Sequence, residues 1–312
     1  MQKKVRAFSP SGISSFFEIC DKTEDGKPLS DPLEIGARGG GFVTEKGVFT
    51  EVVLAPAKKN ITEVEINGKP TSLAETTCAV ARKLLQKTDS PFKVMVKHRI
   101  EVPVGAGFGT SAAGALGTAL ALSKALNMSY TYNELGKIAH GAEVQCKTGL
   151  GTVGPLMLGG CILTVEPGPP GTAVIDRIPL TSDHVIVAAV LGGISTKSVL
   201  SSPEKRQAVN KIGRKTLEQI LSDPSLENFM HSCRDFAEKT GFMNDRLRRL
   251  VTLAEGAGAI GAAQNMVGDV IHAVTTSENA KRVAQAFMQV LPHERIITTK
   301  IDFQGARLLG RR

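Results

Sequence analysis

Short apolar runs, separated by glycines, prolines and polar residues, make up the first hundred residues. The runs are short and contain many β-branched and aromatic side chains, so the pattern predicts strands. These runs are Gly41–Val43, Val48–Leu54, Ile61–Ile66 and Val94–Val102. The pairs Lys46-Gly47 and Asn67-Gly68 predict hairpin turns. One helix is predicted among these strands, with Ser72 as its N-cap and an apolar face formed by Ala79, Val80, Leu84 and Leu85.

The middle of the chain changes to a helical period, from about Thr110 to Cys146. Asn127 predicts the end of a first helix. Thr131 predicts the start of a second, because Glu134 follows it at the spacing of a capping box. A glycine-rich strand region is predicted over Gly149–Val165. The prolines and glycines of Pro167–Gly171 then predict a loop.

The second half of the chain mixes strands and helices again. Strands are predicted at Val185–Leu191, Val270–Thr275 and Ile296–Ile301. Two or three helices are predicted from about Ser202 to Gly256, and another over Asn279–Val290. This order of elements predicts an α+β (mixed α/β) fold.

Composition narrows the classes of function. The chain has 312 residues, of which 42% are apolar, so it can bury a large core. Its net charge of +8 could serve nucleic acid or small polyanionic substrates, but aromatic residues are only 4%, which disfavours nucleic acid. Five cysteines without a CxxC pair disfavour a disulfide framework or a zinc site. No signal peptide is recognisable, and glycines interrupt the uncharged stretch Val102–Ser123, so we expect a cytoplasmic protein without a membrane partner.

The candidate chemistry is concentrated in the segment Pro103–Ala113, which reads PVGAGFGTSAA. Its alternating glycines let the backbone turn and expose N–H groups, and a helix rich in Ala and Leu follows. A helix N-terminus offers free N–H donors and the positive end of a dipole, which together bind anions. The segment therefore predicts an ATP-phosphate site, although a purely structural glycine turn is the alternative. The predicted ATP-binding residues are Pro103, Gly105, Ala106, Gly107, Phe108, Gly109, Thr110, Ser111 and Ala112.

Two other glycine motifs are excluded. A GxGxxG dinucleotide motif would need glycine at position 110, where this chain has Thr110, and no acid follows about 20 residues later to hold a ribose. A GxxxxGK[ST] motif would need Ser or Thr after a Gly-Lys pair, and each such pair in this chain is followed by Pro or Ile.

The segment Pro103–Ala113 resembles the second motif of the GHMP kinases. Ser9–Gly12 lies where that superfamily has its opening proline-containing strand, and Ala259–Gly268 lies where its third motif belongs, with fewer glycines. The resemblance implies a two-part GHMP kinase fold. Residues 1–181 would form the half with the phosphate loop, and residues 182–312 the half that covers it.

Further segments are similar to the archaeal pantoate kinase family. They are Phe8–Ser14, Ile35–Gly41, Lys147–Gly151, Gly159-Gly160 and Pro167–Gly171. This resemblance implies ATP-dependent phosphorylation of the 4-hydroxyl of pantoate, on the route to coenzyme A. GHMP kinases also have a Mg²⁺-ligating acid at the position of Glu143. The resemblance thus implies that Ser111 and Glu143 hold Mg²⁺, which takes hard oxygen ligands beside ATP phosphates.

Two residues that the resemblance leads us to expect are missing. Thr152 lies near the position where many GHMP kinases have a catalytic Asp, and no acid occurs between Glu143 and Glu166. The stretch Cys161–Val165 has no arginine, where many pantoate kinases have one. We therefore expect Asp21 to orient the substrate hydroxyl and Arg38 to bind the carboxylate through its guanidinium fork. The catalytic residues would be Asp21, Ser111 and Glu143, and the substrate-binding residues Ser15, Asp21, Arg38, His140 and Thr152.

These departures leave other functions open. The chain could be a kinase for another small hydroxy acid, such as a mevalonate derivative, or a nucleotide-binding GHMP protein without catalysis. His140 could equally be a helix histidine with purely structural hydrogen bonds, and Arg38 a surface arginine. We expect ATP, Mg²⁺ and a small hydroxy acid as ligands, no nucleic-acid partner, and an assembly that could be a homodimer.

Overall fold

The computed structural model describes residues 2–193, 203–266 and 268–310. Within them, the strands are β1 Lys3–Cys20, β2 Gly36–Pro56, β3 Ile61–Ile66, β4 Lys69–Pro70, β5 Phe92–Ile100, β6 Cys161–Glu166, β7 Val174–Ile178, β8 His184–Gly193, β9 Gly261–Gln264, β10 Gly268–Thr276, β11 Ile296–Lys300 and β12 Arg307–Leu309. The helices are α1 Glu75–Leu85, α2 Thr110–Ala125, α3 Tyr132–Gln145, α4 Val153–Leu158, α5 Pro203–Ser222, α6 Leu226–Lys239, α7 Asp245–Gly256 and α8 Ala280–Met288. No helix among these is long and apolar enough to span a bilayer.

The strands form two sheets. The larger has the order β12-β1-β2-β5-β3-β4, with β6 paired to β2 and β7 paired to β6. The smaller has the order β11-β8-β10-β9 and is antiparallel throughout. The sheets fall on either side of residue 181 in the chain, except that β12 returns to pair with β1. The mixed α/β class predicted from the sequence is confirmed.

The strands β1 and β2 form a long antiparallel pair that carries two irregularities. Gly47 pairs with Pro10 but Thr44 pairs with Ser11, so Glu45 and Lys46 are extra residues in β2. The hairpin turn predicted at Lys46-Gly47 is therefore wrong, and the sequence there marks a bulge within one strand. The hairpin predicted at Asn67-Gly68 is confirmed. Those two residues join β3 to β4 with φ values of 49° and 78°, as a two-residue turn requires.

The helix boundaries follow local signals in most places. The capping box of Thr131 and Glu134 is present at the start of α3, and Asn127 adopts φ 56° after α2. Two predictions are wrong. Ala74, and not Ser72, precedes α1. The predicted strand region Gly149–Val165 contains the short helix α4 before β6 begins, because its apolar side chains recur at helical spacing and bury one face.

The buried apolar side chains form two hydrophobic cores. The first core lies between the larger sheet and α1–α4, and α2 runs through it, packed against β1 and β2 and also against α1 and α3. A helix with this composition of Ala, Leu and Gly is stable only when buried all round. The second core contains side chains of the smaller sheet and of α5–α8, and the larger sheet contributes to it through residues such as Phe16 and Phe42. The N-terminus of α2 therefore lies at the edge of a rigid, fully packed element.

Candidate active site

The segment before α2 forms a loop of alternating left-handed glycines. Gly105, Gly107 and Gly109 have φ values of 77°, 75° and 59°. Gly109 is the N-cap residue, and no side chain caps the helix. The first N–H groups of an α-helix have no partner within the helix, so this end carries donors and positive dipole charge. The geometry suits an anion such as phosphate.

Parts of both halves of the chain enclose this loop. The N–H of Gly12 in β1 donates to Phe108 O at 3.1 Å. The methyl group of Thr152, at the start of α4, lies so close to Gly109 that a Cβ there would come within 2.8 Å of it. On the other side, a Cβ on Gly268 would come within 2.9 Å of Ala106 O. The loop is thus held between β1 and α4 of the first half and the β9–β10 connection of the second.

A polar cluster surrounds the first turn of α2. Ser111 Oγ donates to Thr76 Oγ1 at 3.1 Å, and Thr76 Oγ1 lies 3.0 Å from Thr148 Oγ1. Thr148 Oγ1 donates to Glu143 Oε1 at 2.8 Å. The helices α1, α2 and α3 each contribute one residue, and Thr148 follows α3. The two residues that the resemblance paired, Ser111 and Glu143, therefore belong to one connected group.

Glu143 is an unusual member of this cluster because its side chain is only 2% exposed. Burial raises the pKa of its carboxyl, and hydrogen bonds from Ser111 and Thr148 oppose that rise. Gly149 packs directly against the carboxylate, and a Cβ at that position would overlap it. In the described part of the chain, Glu143 forms no salt bridge, so a cation is the counterpart that this buried acid would favour.

The cluster fits a Mg²⁺ ion better than a zinc-type metal. No group of three or more His, Cys, Asp or Glu side chains is found in the described part of the chain. One carboxylate with neighbouring hydroxyls is instead the donor set that Mg²⁺ uses beside nucleotide phosphates, which supply further oxygen ligands. Glu143 and Ser111 would hold such an ion, with Thr76 and Thr148 orienting them.

The residues expected to contact the substrate are placed differently. Asp21 forms an ion pair with Arg206 of α5. Arg38 Nη1 lies 3.4 Å from Glu18 Oε2, and its Nη2 lies 3.3 Å from Glu166 Oε2. Both charged groups are therefore engaged within the protein, and their contacts with a substrate stay predictions.

Two other residues that were predicted to contact the substrate form hydrogen bonds within the protein. Ser15 is fully buried, and its Oγ lies 2.9 Å from His272 Nε2. His140 is 1% exposed, and its Nε2 lies 2.9 Å from Ile35 O. Burial lowers the pKa of His140, so the ring is neutral and donates to that carbonyl. The geometry gives both residues structural contacts, while Thr152 does lie beside the phosphate loop.

Four polar residues of this region were not predicted from the sequence. Thr76, Thr148, Asn265 and His272 come from separate segments and meet only in the fold. Thr148 had a weak signal, since it lies in the segment Lys147–Gly151 that resembles a known family. The others lie in unremarkable surroundings, where a lone Thr, Asn or His is ordinary.

Comparison with known proteins agrees with the fold. The family model of the GHMP kinases N terminal domain matches residues 75–160, which include the loop and Glu143. A pantoate kinase from Thermococcus kodakarensis is 35% identical over 295 residues, covering 93% of this chain and 94% of that protein. This chain belongs to the pantoate kinase family of the GHMP kinases. A second relative, the pantoate kinase of Methanocaldococcus jannaschii, is 28% identical and covers 87% of this chain and 93% of that protein.

Solved structures show that proteins beyond the pantoate kinases share this fold. A phosphotransferase described as related to the CoA biosynthesis pathway superposes with a TM-score of 0.86 at 32% identity, covering 98% of both chains. A homoserine kinase from Cytophaga hutchinsonii superposes with a TM-score of 0.70 at 16% identity, covering 98% of this chain and 97% of that one. The second likeness shows the shared GHMP fold alone.

Proposed function

We propose that this chain transfers the γ-phosphoryl group of ATP to the 4-hydroxyl of pantoate, giving 4-phosphopantoate for coenzyme A biosynthesis. Similarity over nearly the whole length of pantoate kinases supports the acceptor. The observation that carries the chemistry is the uncapped N-terminus of α2 beside the buried Glu143 cluster. These two features offer phosphate-binding donors and a site for a counter-cation at one place.

The roles of the residues follow from their chemistry. The backbone of Pro103–Ala112 would bind the ATP phosphates, and its rigid attachment to α2 would fix their position. Glu143 and Ser111 would hold Mg²⁺, which when bound neutralises charge on the transferring phosphoryl group. Asp21 would orient the acceptor hydroxyl, Arg38 would bind the acceptor carboxylate, and Thr152, whose methyl group lies beside Gly109, would contact the substrate. A loose transition state depends more on such positioning than on a strong base.

A direct experiment is to measure ADP release with a panel of acceptors: pantoate, mevalonate, phosphomevalonate, homoserine and none. We expect turnover with pantoate alone, and a phosphomonoester product by ³¹P NMR. Glu143→Gln should lower kcat about 100-fold or more, because it removes the charge that balances the metal. Glu134→Gln is the matched control: it removes one charge from the same helix, and glutamine preserves the capping box.

One other function has a specific observation in its favour. Thr152 lies beside the loop, near the position where many GHMP kinases have a catalytic Asp. The absence of that acid is what a protein that binds nucleotide without catalysis would show. ATP binding with no turnover on any acceptor would favour this alternative. Turnover with mevalonate instead of pantoate would reassign the acceptor but keep the kinase chemistry. Mevalonate kinase relatives support that outcome less, since the one from Pyrococcus abyssi is 26% identical over 57% of this chain.

A further inference from the structure

The last residues of β1 return to the neighbourhood of the phosphate loop. Ile19 of β1 pairs with Ala37 of β2. A Cβ built on Gly151 would lie 3.2 Å from Ala37 Cβ, and the next residue, Thr152, lies beside Gly109 of the loop. These two adjoining contacts link the end of β1 to the loop, which brings the residues after Ile19 within reach of an acceptor bound there.

Helix α5, from the second half of the chain, holds this end of β1. Asn210 Oδ1 accepts from Ile19 N at 2.9 Å, and Asn210 Nδ2 donates to Ile19 O at 3.0 Å. Arg206 lies one helical turn before Asn210, on the same face of α5. Its side chain therefore reaches the residues that follow Ile19, where its Nη2 forms the ion pair with Asp21 Oδ2.

The ion pair between Asp21 and Arg206 uses one atom of each side chain. Nη2 donates to Oδ2, and within the described part of the chain neither side chain forms another hydrogen bond. The side chain of Arg206 is 30% exposed and that of Asp21 is 28% exposed, so a ligand can reach both. A guanidinium has five N–H donors in a planar fork. The pair therefore presents unengaged N–H donors and an unengaged acceptor, Oδ1, side by side.

Arg38 is more heavily engaged than Arg206. Its Nε donates to Val165 O at 3.1 Å, its Nη1 lies 3.4 Å from Glu18 Oε2, and its Nη2 lies 3.3 Å from Glu166 Oε2. A carboxylate that binds Arg38 must compete with these three acceptors. In contrast, Nε and Nη1 of Arg206 have no acceptor among the residues that the structure describes.

We propose that Arg206 is a substrate-binding residue, whose unengaged N–H groups bind the acceptor carboxylate while Asp21 holds the guanidinium in place. An acceptor with a hydroxyl and a carboxylate matches the pair, because Asp21 Oδ1 accepts from the hydroxyl and Arg206 donates to the carboxylate. The inference rests on the proposed function, in which Asp21 orients that hydroxyl. It adds a specificity-determining cation from the second half of the chain to an acceptor site whose strand Cys161–Val165 has no arginine.

The test compares pantoate with pantoamide, its neutral amide, in ADP-release assays on the full-length protein. Both acceptors carry the same hydroxyl groups, so contacts with the carboxylate alone separate them. We expect the wild type to prefer pantoate by about tenfold or more in kcat/KM. Arg206→Met should raise the KM for pantoate by about tenfold to a hundredfold, the usual effect of losing hydrogen bonds to a charged group. Its kcat/KM for pantoamide should stay within about threefold of the wild type, so the preference is lost.

Arg206→Lys tests the geometry of the contact. Lysine keeps the charge but lacks the planar fork, so it should recover only part of the preference for pantoate. The affinity for ATP, measured by titration calorimetry, should be unchanged in both Arg206 variants, because the pair does not contact the phosphate loop. This measurement also shows that each variant is folded.

Lys211→Met is the matched control. Lys211 is an exposed cation on the same helix, and in the described part of the chain no ion pair joins it to Asp21. The substitution removes the same charge as Arg206→Met. It should keep the KM for pantoate within about twofold of the wild type, since a solvated charge is largely screened. An equal rise in KM in both variants would show that the net charge of α5 attracts the acid, and would overturn the contact.

Asp21→Asn separates the two members of the pair. It should lower kcat for pantoate and pantoamide alike, because both share the hydroxyl, and the preference for pantoate should remain. If Arg206→Met slows both acceptors equally and keeps the preference, Arg206 acts only through Asp21 and the proposal fails. A wild type that uses pantoamide as well as pantoate would also overturn the proposal, whereas a wild type that phosphorylates neither would refute the proposed function itself.

Discussion

At the scale of single residues, Glu143 combines burial with the absence of a basic partner among its described contacts. Its carboxylate accepts from Thr148 and lies beside Gly149, in a pocket that admits no larger side chain at that glycine. Removing a carboxylate from water is costly, and hydrogen bonds from hydroxyl groups offset only part of that cost. The position of this carboxylate should therefore be very sensitive to the volume at residue 149.

Gly149→Ala should displace the Glu143 carboxylate and lower kcat, because the added methyl group would occupy the place of an oxygen. We expect a loss of about 10- to 100-fold, as for a small misplacement of a catalytic group. Stopped assays at saturating ATP and pantoate would measure it. In a Glu143→Ala background the same substitution should have little further effect, since the two changes then act on one interaction. Independent, multiplying losses would instead show that Gly149 acts through the loop backbone.

The sequence predicted some of the site residues better than others. Ser111 lies in the phosphate-loop motif and Glu143 was paired with it through the family resemblance. The structure brings them into one cluster, and their metal-binding role stays a prediction. Thr76 was not predicted, because it joins the cluster only through contacts between segments far apart in the chain. The engagement of Arg38 with Glu18 was also invisible in the sequence, because it depends on the register of β1 and β2.

At the scale of elements, local sequence signals predicted the type and the ends of a helix or turn wherever no tertiary contact opposed them. The capping box fixed the start of α3, and the Asn-Gly pair fixed the β3–β4 turn. Tertiary contacts decided the rest. Gly41 crosses so close to Ile13 O that any side chain would clash, which explains a glycine run inside a strand. The bulge at Glu45-Lys46 and the helix α4 likewise depend on pairing and burial that a local pattern does not contain.

His98 joins three elements and should make stability depend on pH. On β5, its Nδ1 lies 3.0 Å from Thr50 Oγ1 of β2 and its Nε2 lies 3.0 Å from Thr77 Oγ1 of α1. Burial lowers its pKa from 6.5 to about 4. The unfolded chain thus binds a proton below pH 6.5 that the folded protein accepts only near pH 4, so stability falls as the pH drops through this window.

The expected size of this effect can be measured by urea unfolding at pH 7.5 and 5.5. Linkage predicts a loss of about 1.4 kcal/mol from His98 between those values, and a similar loss from His272, whose pKa is lowered to about 3. His98→Gln keeps a polar side chain between the two threonines but does not titrate. It should therefore lose the contribution of His98, about 1.4 kcal/mol between the two pH values, and a variant with the full wild-type dependence would contradict the assignment to His98.

At the scale of the whole molecule, the two halves are joined by a shared hydrophobic core and by polar contacts. The N–H of Met266 donates to Ser14 O at 2.6 Å, and α5 packs on the end of β1. Asn210 of α5 exchanges hydrogen bonds with the backbone of Ile19. These contacts lie along one strand, β1, which also supports the phosphate loop through Gly12. The geometry of the loop should therefore respond to changes in the interface between the halves.

Glu18 is a buried charge in that interface, and its ion pair with Arg38 gives that arginine a structural role that must be separated from substrate binding. Its side chain is 3% exposed and lies 2.6 Å from Arg214 Nη2 of α5, as well as 3.4 Å from Arg38 Nη1. Arg214 is 65% exposed, whereas Arg38 is 28% exposed and also donates to Val165 O at 3.1 Å. Arg38 is therefore the partner whose loss would leave the buried carboxylate poorly compensated.

Arg38→Met should lower the free energy of unfolding by about 1–3 kcal/mol, because a buried carboxylate would keep only an exposed partner. Arg214→Met, the control, should cost less, since that guanidinium is largely solvated. Adding Glu18→Gln to Arg38→Met should recover most of the lost stability, as it removes the unbalanced charge; urea unfolding would measure each variant. Pantoate KM in this stable double variant then isolates the substrate role. A KM raised tenfold or more supports Arg38 as the carboxylate anchor, whereas a normal KM leaves it as the partner of Glu18 alone.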